Sequence, residues 1–127
     1  MIIVNFSHPL NEEQTRAISA QAGQPIEMIH NISCYLDHER PFAEQIAKLI
    51  ESVPLSPFDW QTKPILVNLP SLSCAAAVLL AHLHGLLGYF PPCIRLKPNQ
   101  QGIIRKFDLA ELIDLQTLRE DARSYRG

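Results

Sequence analysis

Residues 2–8, with the sequence IIVNFSH, determine how the rest of the chain is interpreted. The first five are apolar and partly β-branched apart from one asparagine, which is typical of a strand buried on both faces of a parallel sheet. The strand is broken before Pro9, and a helix is expected to begin at Asn11. Gln14 stands at capping-box spacing from Asn11, and Gly23 is a suitable residue for ending the helix.

The same order of strand and helix occurs twice more. Residues 26–32 predict a second strand, and the apolar residues between positions 42 and 53 have the spacing of an amphipathic helix. Residues 65–67 predict a third strand. The helix after it, which we expect Ser71 or Ser73 to cap, is apolar nearly all round and is therefore expected to be enclosed by other elements.

Two more strands and a polar helix complete the chain. Residues 93–97 and 104–113 predict strands, residues 99–102 predict the turn between them, and Asp114 suits the cap of a helix over residues 115–125.

The predicted order is therefore βαβαβαββα. Repeated βα units imply a mostly parallel sheet with helices on both faces. We expect residues 1–127 to form a single Rossmann-like, ligand-binding domain of the α/β class, and a chain of this length buries roughly two-thirds of its unfolded surface.

The composition narrows the possible partners. The chain is 46% apolar and 19% charged, with a net charge of −2. A protein that grips long DNA or RNA usually carries a basic surplus, so no long nucleic acid is expected as a partner. A small anionic ligand remains compatible, because a few backbone amides can hold one or two phosphates.

The cellular location is expected to be cytoplasmic. Cys34, Cys74 and Cys93 form an odd set without a CxxC pair, and no secretory signal is visible. Residues 72–90 approach the length of a membrane span, but they contain two histidines and two glycines. We interpret them as a buried helix and expect no membrane contact.

The predicted functional site lies where the first and third strands end. Ligands of open α/β sheets bind beyond the carboxyl ends of the strands, where the strand order reverses. If the first and third strands are neighbours, residues 5–11 and 68–73 meet there. Both loops carry short polar side chains and lead into helix N-termini, which favour an anion. The alternative is that their serines are ordinary helix caps.

Several familiar motifs are missing from these loops. The chain has no GxGxxG, no GxxxxGK[ST] and no GxSxG, which disfavours a dinucleotide site, a P-loop and a hydrolase elbow. His8, beside Ser7, can position a phosphate or act as an acid or base. The alternative is a structural histidine before a proline.

No metal site is predicted. His82 and His84 are two apart and point to different sides of a helix, so they cannot chelate one metal; we interpret them as packing or interface residues. Residues 37–39, Asp-His-Glu, are better interpreted as a solvated loop than as a metal cluster.

Several short motifs are shared with one protein family. They are residues 1–10 (MIIVNFSHPL), residues 66–73 (LVNLPSLS) with residues 75–80, His84-Gly85 before residues 88–91 (GYFP), and residues 111–113 (ELI). The chain resembles, nearly end to end, a small CRISPR-associated accessory family of type III systems.

The resemblance implies a function. Such proteins are grouped with the ring nucleases and are related to Rossmann-like domains that sense cyclic oligoadenylates, usually cyclic tetra-adenylate. They remove this messenger and switch off antiviral signalling. The resemblance also implies a homodimer or higher homo-oligomer with the ligand held between subunits. Cleavage in the group proceeds by attack of a ribose 2′-hydroxyl without a metal, so no cofactor is expected.

The predicted site combines these expectations. The predicted ligand-binding residues are Asn5, Phe6, Ser7, His8, Asn31, Ser33, Asn68, Leu69, Pro70, Ser71 and Ser73. Ser7 and His8 are the candidate catalytic residues. Neither loop carries a lysine or arginine, so sequestration of the messenger stands beside cleavage as a prediction.

Two other functions are compatible with the sequence. The same loops suit an α/β enzyme or sensor for another small phosphorylated metabolite. The apolar third helix would suit a structural subunit that docks through it.

Overall fold

The computed structural model describes all 127 residues. The strands are β1 (Ile2–Asn5), β2 (Met28–Asn31), β3 (Ile65–Asn68), β4 (Cys93–Asn99) and β5 (Lys106–Ile113). The helices are α1 (Glu12–Ala22), α2 (Phe42–Ser52), α3 (Pro57–Thr62), α4 (Ser73–Leu87) and α5 (Leu115–Arg123), followed by a 3-10 turn (Ser124–Arg126).

The five strands form one sheet in the order β2-β1-β3-β4-β5. The first four are parallel, and β5 returns antiparallel to β4. The mostly parallel α/β fold is therefore confirmed. The chain passes from β1 to β2 on one side and later to β3 on the other, so the strand order reverses between β1 and β3.

The core consists of one apolar cluster on each face of the sheet. Successive residues of a strand point to opposite faces, so Val4 packs with Ile46 of α2 and Leu79 of α4, whereas Ile3 packs with Ile18 of α1. All five side chains are fully buried. Burial of each of these side chains contributes about 1.5–3 kcal/mol to the free energy of folding, so the sheet that carries the loops is stably packed.

Local capping signals set most helix boundaries as expected. Asn11 and Gln14 form the reciprocal capping box of α1, and Gly23 ends that helix with a φ of 67°. Gly88, with a φ of 84°, ends α4. Asp114 accepts a hydrogen bond from the Thr117 amide at the start of α5, and this bond lowers the pKa of the carboxyl.

One helix, α3, was not anticipated. Ser56 and Asp59 form a capping box around its first turn, and Pro57 occupies the start of the helix. Trp60 is buried in the larger apolar cluster, whereas Phe58 is exposed. The α3 helix adds one element to the predicted order and packs against α4.

The α4 helix is buried along one face only. Ala75, Leu79 and Leu83 are fully buried, while Ala81 and His82 on the other side are exposed. The expectation that this helix is enclosed was wrong, because its outer face consists of small residues and one histidine, none of which requires burial. None of the helices combines the length and apolar character that crossing a bilayer requires.

Candidate functional site

Three asparagines end the three neighbouring strands and are hydrogen-bonded to one another. Asn5 of β1 lies in register with Asn31 of β2 and Asn68 of β3. Asn5 Nδ2 donates to Asn31 Oδ1 over 2.9 Å, and Asn68 Nδ2 donates to Asn5 Oδ1 over 3.0 Å. This asparagine ladder ties the strands together at their carboxyl ends.

Asn5 also holds the loop that follows β1. Its Nδ2 donates to the His8 carbonyl over 2.9 Å, and its Oδ1 accepts from the Ser7 amide over 3.0 Å. The side chain is 0% exposed, and its two donors and two acceptor positions are all engaged within the chain. The sequence predicts Asn5 as a ligand contact, but its burial gives it a positioning role beneath the site.

A cavity of about 490 Å³ opens above the ladder, and we call it the first cavity. Its walls come from three loops, residues 6–9, 33–36 with His38, and 70–72 with Ala75 at the start of α4. The volume lies in the range of about 300–1,000 Å³ typical of small-molecule sites. The loops after β1, β2 and β3 thus converge on one space.

The first cavity brings together about half of the predicted ligand-binding residues, namely Phe6, Ser7, His8, Ser33, Pro70 and Ser71. It does not include Asn5, Asn31, Asn68, Leu69 or Ser73. Leu69 packs instead against the larger apolar cluster, and Ser73 is exposed at the first position of α4.

The loop after β2 contributes residues that the sequence analysis left out of the site. Cys34, Tyr35, Leu36 and His38 line the first cavity. Tyr35 is 91% exposed, and burial raises the pKa of the Cys34 thiol. Their place in the chain could have indicated them, because they follow β2, which ends at the same edge of the sheet as β1 and β3.

The N-terminus of α1 is already occupied by the chain itself. The capping box uses the side chains of Asn11 and Gln14, and Glu12 and Glu13 lie in the first turn. Negative side chains at this position interact favourably with the helix dipole and repel an incoming anion. The N-terminus of α1, which the sequence predicted as an anion-binding position, is therefore not available to a ligand.

The N-terminus of α4, unlike that of α1, has neither a side-chain cap nor acidic residues. Leu72 occupies the N-cap position, no side chain caps the helix, and no acidic residue lies in the first turn. The expectation that Ser71 or Ser73 caps it was wrong, because Ser73 is already the first helical residue and Ser71 precedes the cap. The first amides of α4 thus lack a side-chain partner, and Ser71, Leu72 and Ala75 at this end of the helix line the first cavity.

Ser7 and His8 lie between this helix and the loop after β2. Ser7 is half-buried and His8 is exposed, and neither side chain makes a hydrogen bond within the chain. A free imidazole can accept or donate a proton, and a free hydroxyl can bind a phosphate oxygen. The position of both side chains is set through the Asn5 contacts to the loop backbone.

A second cavity of about 790 Å³ adjoins the first and shares Ser7, His8, Pro9 and Ser71 with it. Asn68, predicted as a ligand-binding residue, lines this second cavity. So do Arg105, Lys106 and Phe107, which the sequence analysis did not include in the site. Because β5 runs antiparallel to β4, its first residues lie at the carboxyl edge of the parallel strands.

The remaining histidines considered in the sequence are His82 and His84, which line neither cavity, and His38, which lines the first. The His84 ring packs against Phe90 with centroids 4.3 Å apart, whereas His82 is exposed. The His38 ring packs edge-on against Phe42 at 5.6 Å. No cluster of three or more His, Cys, Asp or Glu side chains has an arrangement that could hold a metal ion.

None of the family models, curated proteins or solved structures compared with the chain matches it.

Proposed function

We propose that this protein binds cyclic tetra-adenylate in the cytoplasm and lowers its free level, by metal-independent ring cleavage or by sequestration, so that type III CRISPR antiviral signalling is switched off. The observation that carries the proposal is the first cavity. It combines an uncapped helix N-terminus with free hydroxyls and an imidazole at the switch point of the sheet.

The contrast between α1 and α4 supports an anionic ligand. The start of α1 is occupied by Glu12 and Glu13, whereas α4 presents unpartnered amides without a negative side chain nearby. A phosphate at α4 would accept from these amides and gain from the helix dipole. Ser71 and Ser7 supply hydroxyls on either side of that position.

The loop after β2, which forms another wall of the first cavity, supports a nucleotide as the ligand. Tyr35 lines the first cavity and is almost fully exposed, so its aromatic ring is free to stack on a base. The Ser33 hydroxyl, together with loop backbone groups, can pair with base edges. The resemblance to the type III accessory family supports adenine as that base.

Cleavage would require one acid–base group at the scissile phosphate. The ribose 2′-oxygen would attack phosphorus, the bond to the 5′-oxygen would break, and a 2′,3′-cyclic phosphate and a 5′-hydroxyl would remain. His8 is the side chain that can take the 2′-hydroxyl proton or donate one to the leaving oxygen. If His8 does not reach that phosphate, the same cavity sequesters the ring intact.

A ring of four nucleotides exceeds one cavity of about 490 Å³. A homodimer with the ligand between its subunits would repeat every phosphate and base contact once. Such symmetry doubles the contacts that a domain of 127 residues can offer to a symmetric ligand.

The experiment mixes the purified protein with labelled cyclic tetra-adenylate in EDTA and follows retention and product. We expect retention at micromolar protein; an unretained ligand would refute binding, and an intact ligand after hours would refute cleavage. His8→Ala should slow product formation at least about tenfold while binding changes less than twofold, since one acid–base group contributes about 10²–10⁴ in rate. His82→Ala is the matched control, because His82 lines neither cavity.

The size of the first cavity favours a second candidate, an enzyme or sensor for a small phosphorylated metabolite. A cavity of about 490 Å³ suits a single mononucleotide or sugar phosphate. A thermal-shift screen separates the two functions. Stabilisation by a mononucleotide, without stabilisation by the cyclic ring, would favour the metabolite.

A further inference from the structure

The second cavity has a chemistry different from that of the first. Glu13 is its only acidic wall residue, whereas Arg105 and Lys106 both line it. Neither cation takes part in an ion pair, unlike Arg95, whose guanidinium bonds to Glu111 over 2.7 Å. Two unpaired cations lining one cavity, on a chain with a net charge of −2, indicate a place for negative charge.

Phe107 lines the same cavity as these cations, and its backbone is held by a buried side chain. Gln14 is only 8% exposed, and its Nε2 donates to the Phe107 carbonyl over 2.7 Å. The same glutamine is fixed by the capping box of α1. The Phe107 side chain remains 46% exposed, so an aromatic surface is left uncovered at the cavity wall.

A buried amide completes the wall. Asn68 is 7% exposed and donates one hydrogen bond to Asn5, but its Oδ1 accepts none within the chain. Every fully buried side-chain nitrogen and oxygen of the chain has a hydrogen-bond partner, so this oxygen is within reach of solvent at the cavity wall, where a ligand N–H or O–H group can donate to it. Cations, an aromatic surface and an amide are the three kinds of group that bind nucleotides.

We infer that the second cavity is a second nucleotide subsite, in which Arg105 and Lys106 bind a phosphate and Phe107 stacks on a base. The inference rests on the proposed function and extends it. Because Ser7, His8 and Ser71 line both cavities, the phosphodiester that links two nucleotides would lie across these residues. The ligand class is therefore a chain or ring of at least two linked nucleotides.

The test compares binding of cyclic tetra-adenylate, 5′-phosphorylated di-adenylate and AMP to the wild-type protein and to Arg105→Gln/Lys106→Gln. We expect the double variant to bind the two linked ligands at least about tenfold more weakly, because charge-assisted contacts to phosphate are lost. AMP, which needs only the first cavity, should bind equally to both proteins. The salt dependence of di-adenylate binding should also weaken in the double variant, because salt screens the interaction between these exposed cations and the phosphate.

The matched control is Lys48→Gln/Arg123→Gln, which removes two exposed cations that line neither cavity. It should bind every probe within twofold of the wild type. Phe107→Ala should also weaken the two linked ligands and spare AMP. Thermal midpoints are expected to stay unchanged in both double variants, because none of the four cations forms an ion pair.

The outcomes separate this inference from the proposed function. If wild-type protein binds the cyclic ligand and the double variant binds it equally well, the second subsite is wrong and the proposed function stands. If the wild type binds di-adenylate through Arg105 and Lys106 but not the ring, the proposed function is wrong and the subsite stands. An equal loss of AMP binding, or binding of none of the probes, overturns the two-cavity arrangement.

Discussion

The side-chain amide of Asn68 donates a hydrogen bond to Oδ1 of Asn5 over 3.0 Å, across the point where the strand order reverses. This contact joins β1 to β3 at the level where both strands end. It also leaves Asn5 free to hold the Ser7–Pro9 loop from below. The geometry of the site therefore depends on a buried polar group rather than on the loops alone.

Asn5→Ala is expected to lower the free energy of unfolding by about 2–4 kcal/mol, because several buried or partly buried groups lose their partner at once. Urea denaturation followed by circular dichroism measures this loss. Asn31→Ala is the control: Asn31 is exposed and makes one ladder contact, so about 1 kcal/mol or less is expected. Equal losses in the two variants would contradict the positioning role of Asn5.

Features fixed by short-range chemistry could be predicted from the sequence. The capping box of Asn11 and Gln14 requires only a spacing of three residues, and the buried strand of residues 2–5 requires only an apolar run. The alternation of strands and helices predicted a parallel sheet, whereas the adjacency of β1 and β3 was only a condition of the predicted site and is a result of the structure. These elements place the first cavity, which explains why Ser7, His8 and Ser71 were identified.

Features that depend on distant pairing could not be predicted. Arg105 and Lys106 reach the site because β5 pairs antiparallel with β4; the sequence predicts both strands and the turn between them, but no local pattern specifies that the start of β5 lies beside α1. The sequence shows that Asn5 is a polar residue at a strand end. Only the in-register pairing of three strands shows that its side-chain amide is fully hydrogen-bonded within the chain. Leu72 as an N-cap contradicts the preference for polar caps, and sequence statistics cannot anticipate it.

Ser71→Trp is expected to abolish ligand binding without unfolding the protein. Ser71 is exposed and lines both cavities, so an indole there fills the space that they share. Equilibrium binding of cyclic tetra-adenylate should weaken at least about a hundredfold, and the thermal midpoint should change by only a few degrees. Ser52→Trp, at the exposed end of α2, adds the same ring away from both cavities and should bind normally. Retained binding by Ser71→Trp would place the ligand elsewhere.

The alkylation rates of the three cysteines can show whether a ligand occupies the first cavity, because Cys34 lines it. Burial raises the pKa of the Cys34 thiol, and it raises that of Cys93 to about 12. A raised pKa leaves less thiolate at neutral pH, so alkylation should be fastest at exposed Cys74, slower at Cys34 and slowest at Cys93. The Cys34 rate should keep rising with pH above the range in which an ordinary thiol ionises. Mass spectrometry of iodoacetamide-treated protein measures all three rates.

Bound ligand should then protect Cys34, which lines the first cavity, and leave the order of the other two cysteines unchanged. Cys93 serves as the internal control, because it is buried with or without ligand. Alkylation of Cys34 at the same rate in saturating ligand would show that the ligand does not occupy the first cavity.

Leu72→Asp should change stability and binding in opposite directions. An aspartate at the N-cap of α4 would accept from the unpartnered amides, which stabilises a helix by about 0.5–2 kcal/mol and would raise the thermal midpoint by about 4 °C. The same carboxylate would occupy the anion seat and repel a phosphate, so affinity for cyclic tetra-adenylate should fall at least about tenfold. Leu72→Ser isolates the two effects, because its neutral hydroxyl caps the helix without adding charge and should cost much less affinity. Calorimetry and equilibrium binding on the three proteins measure both quantities. A Leu72→Asp protein that binds the ring as tightly as the wild type would show that the α4 N-terminus does not hold a phosphate.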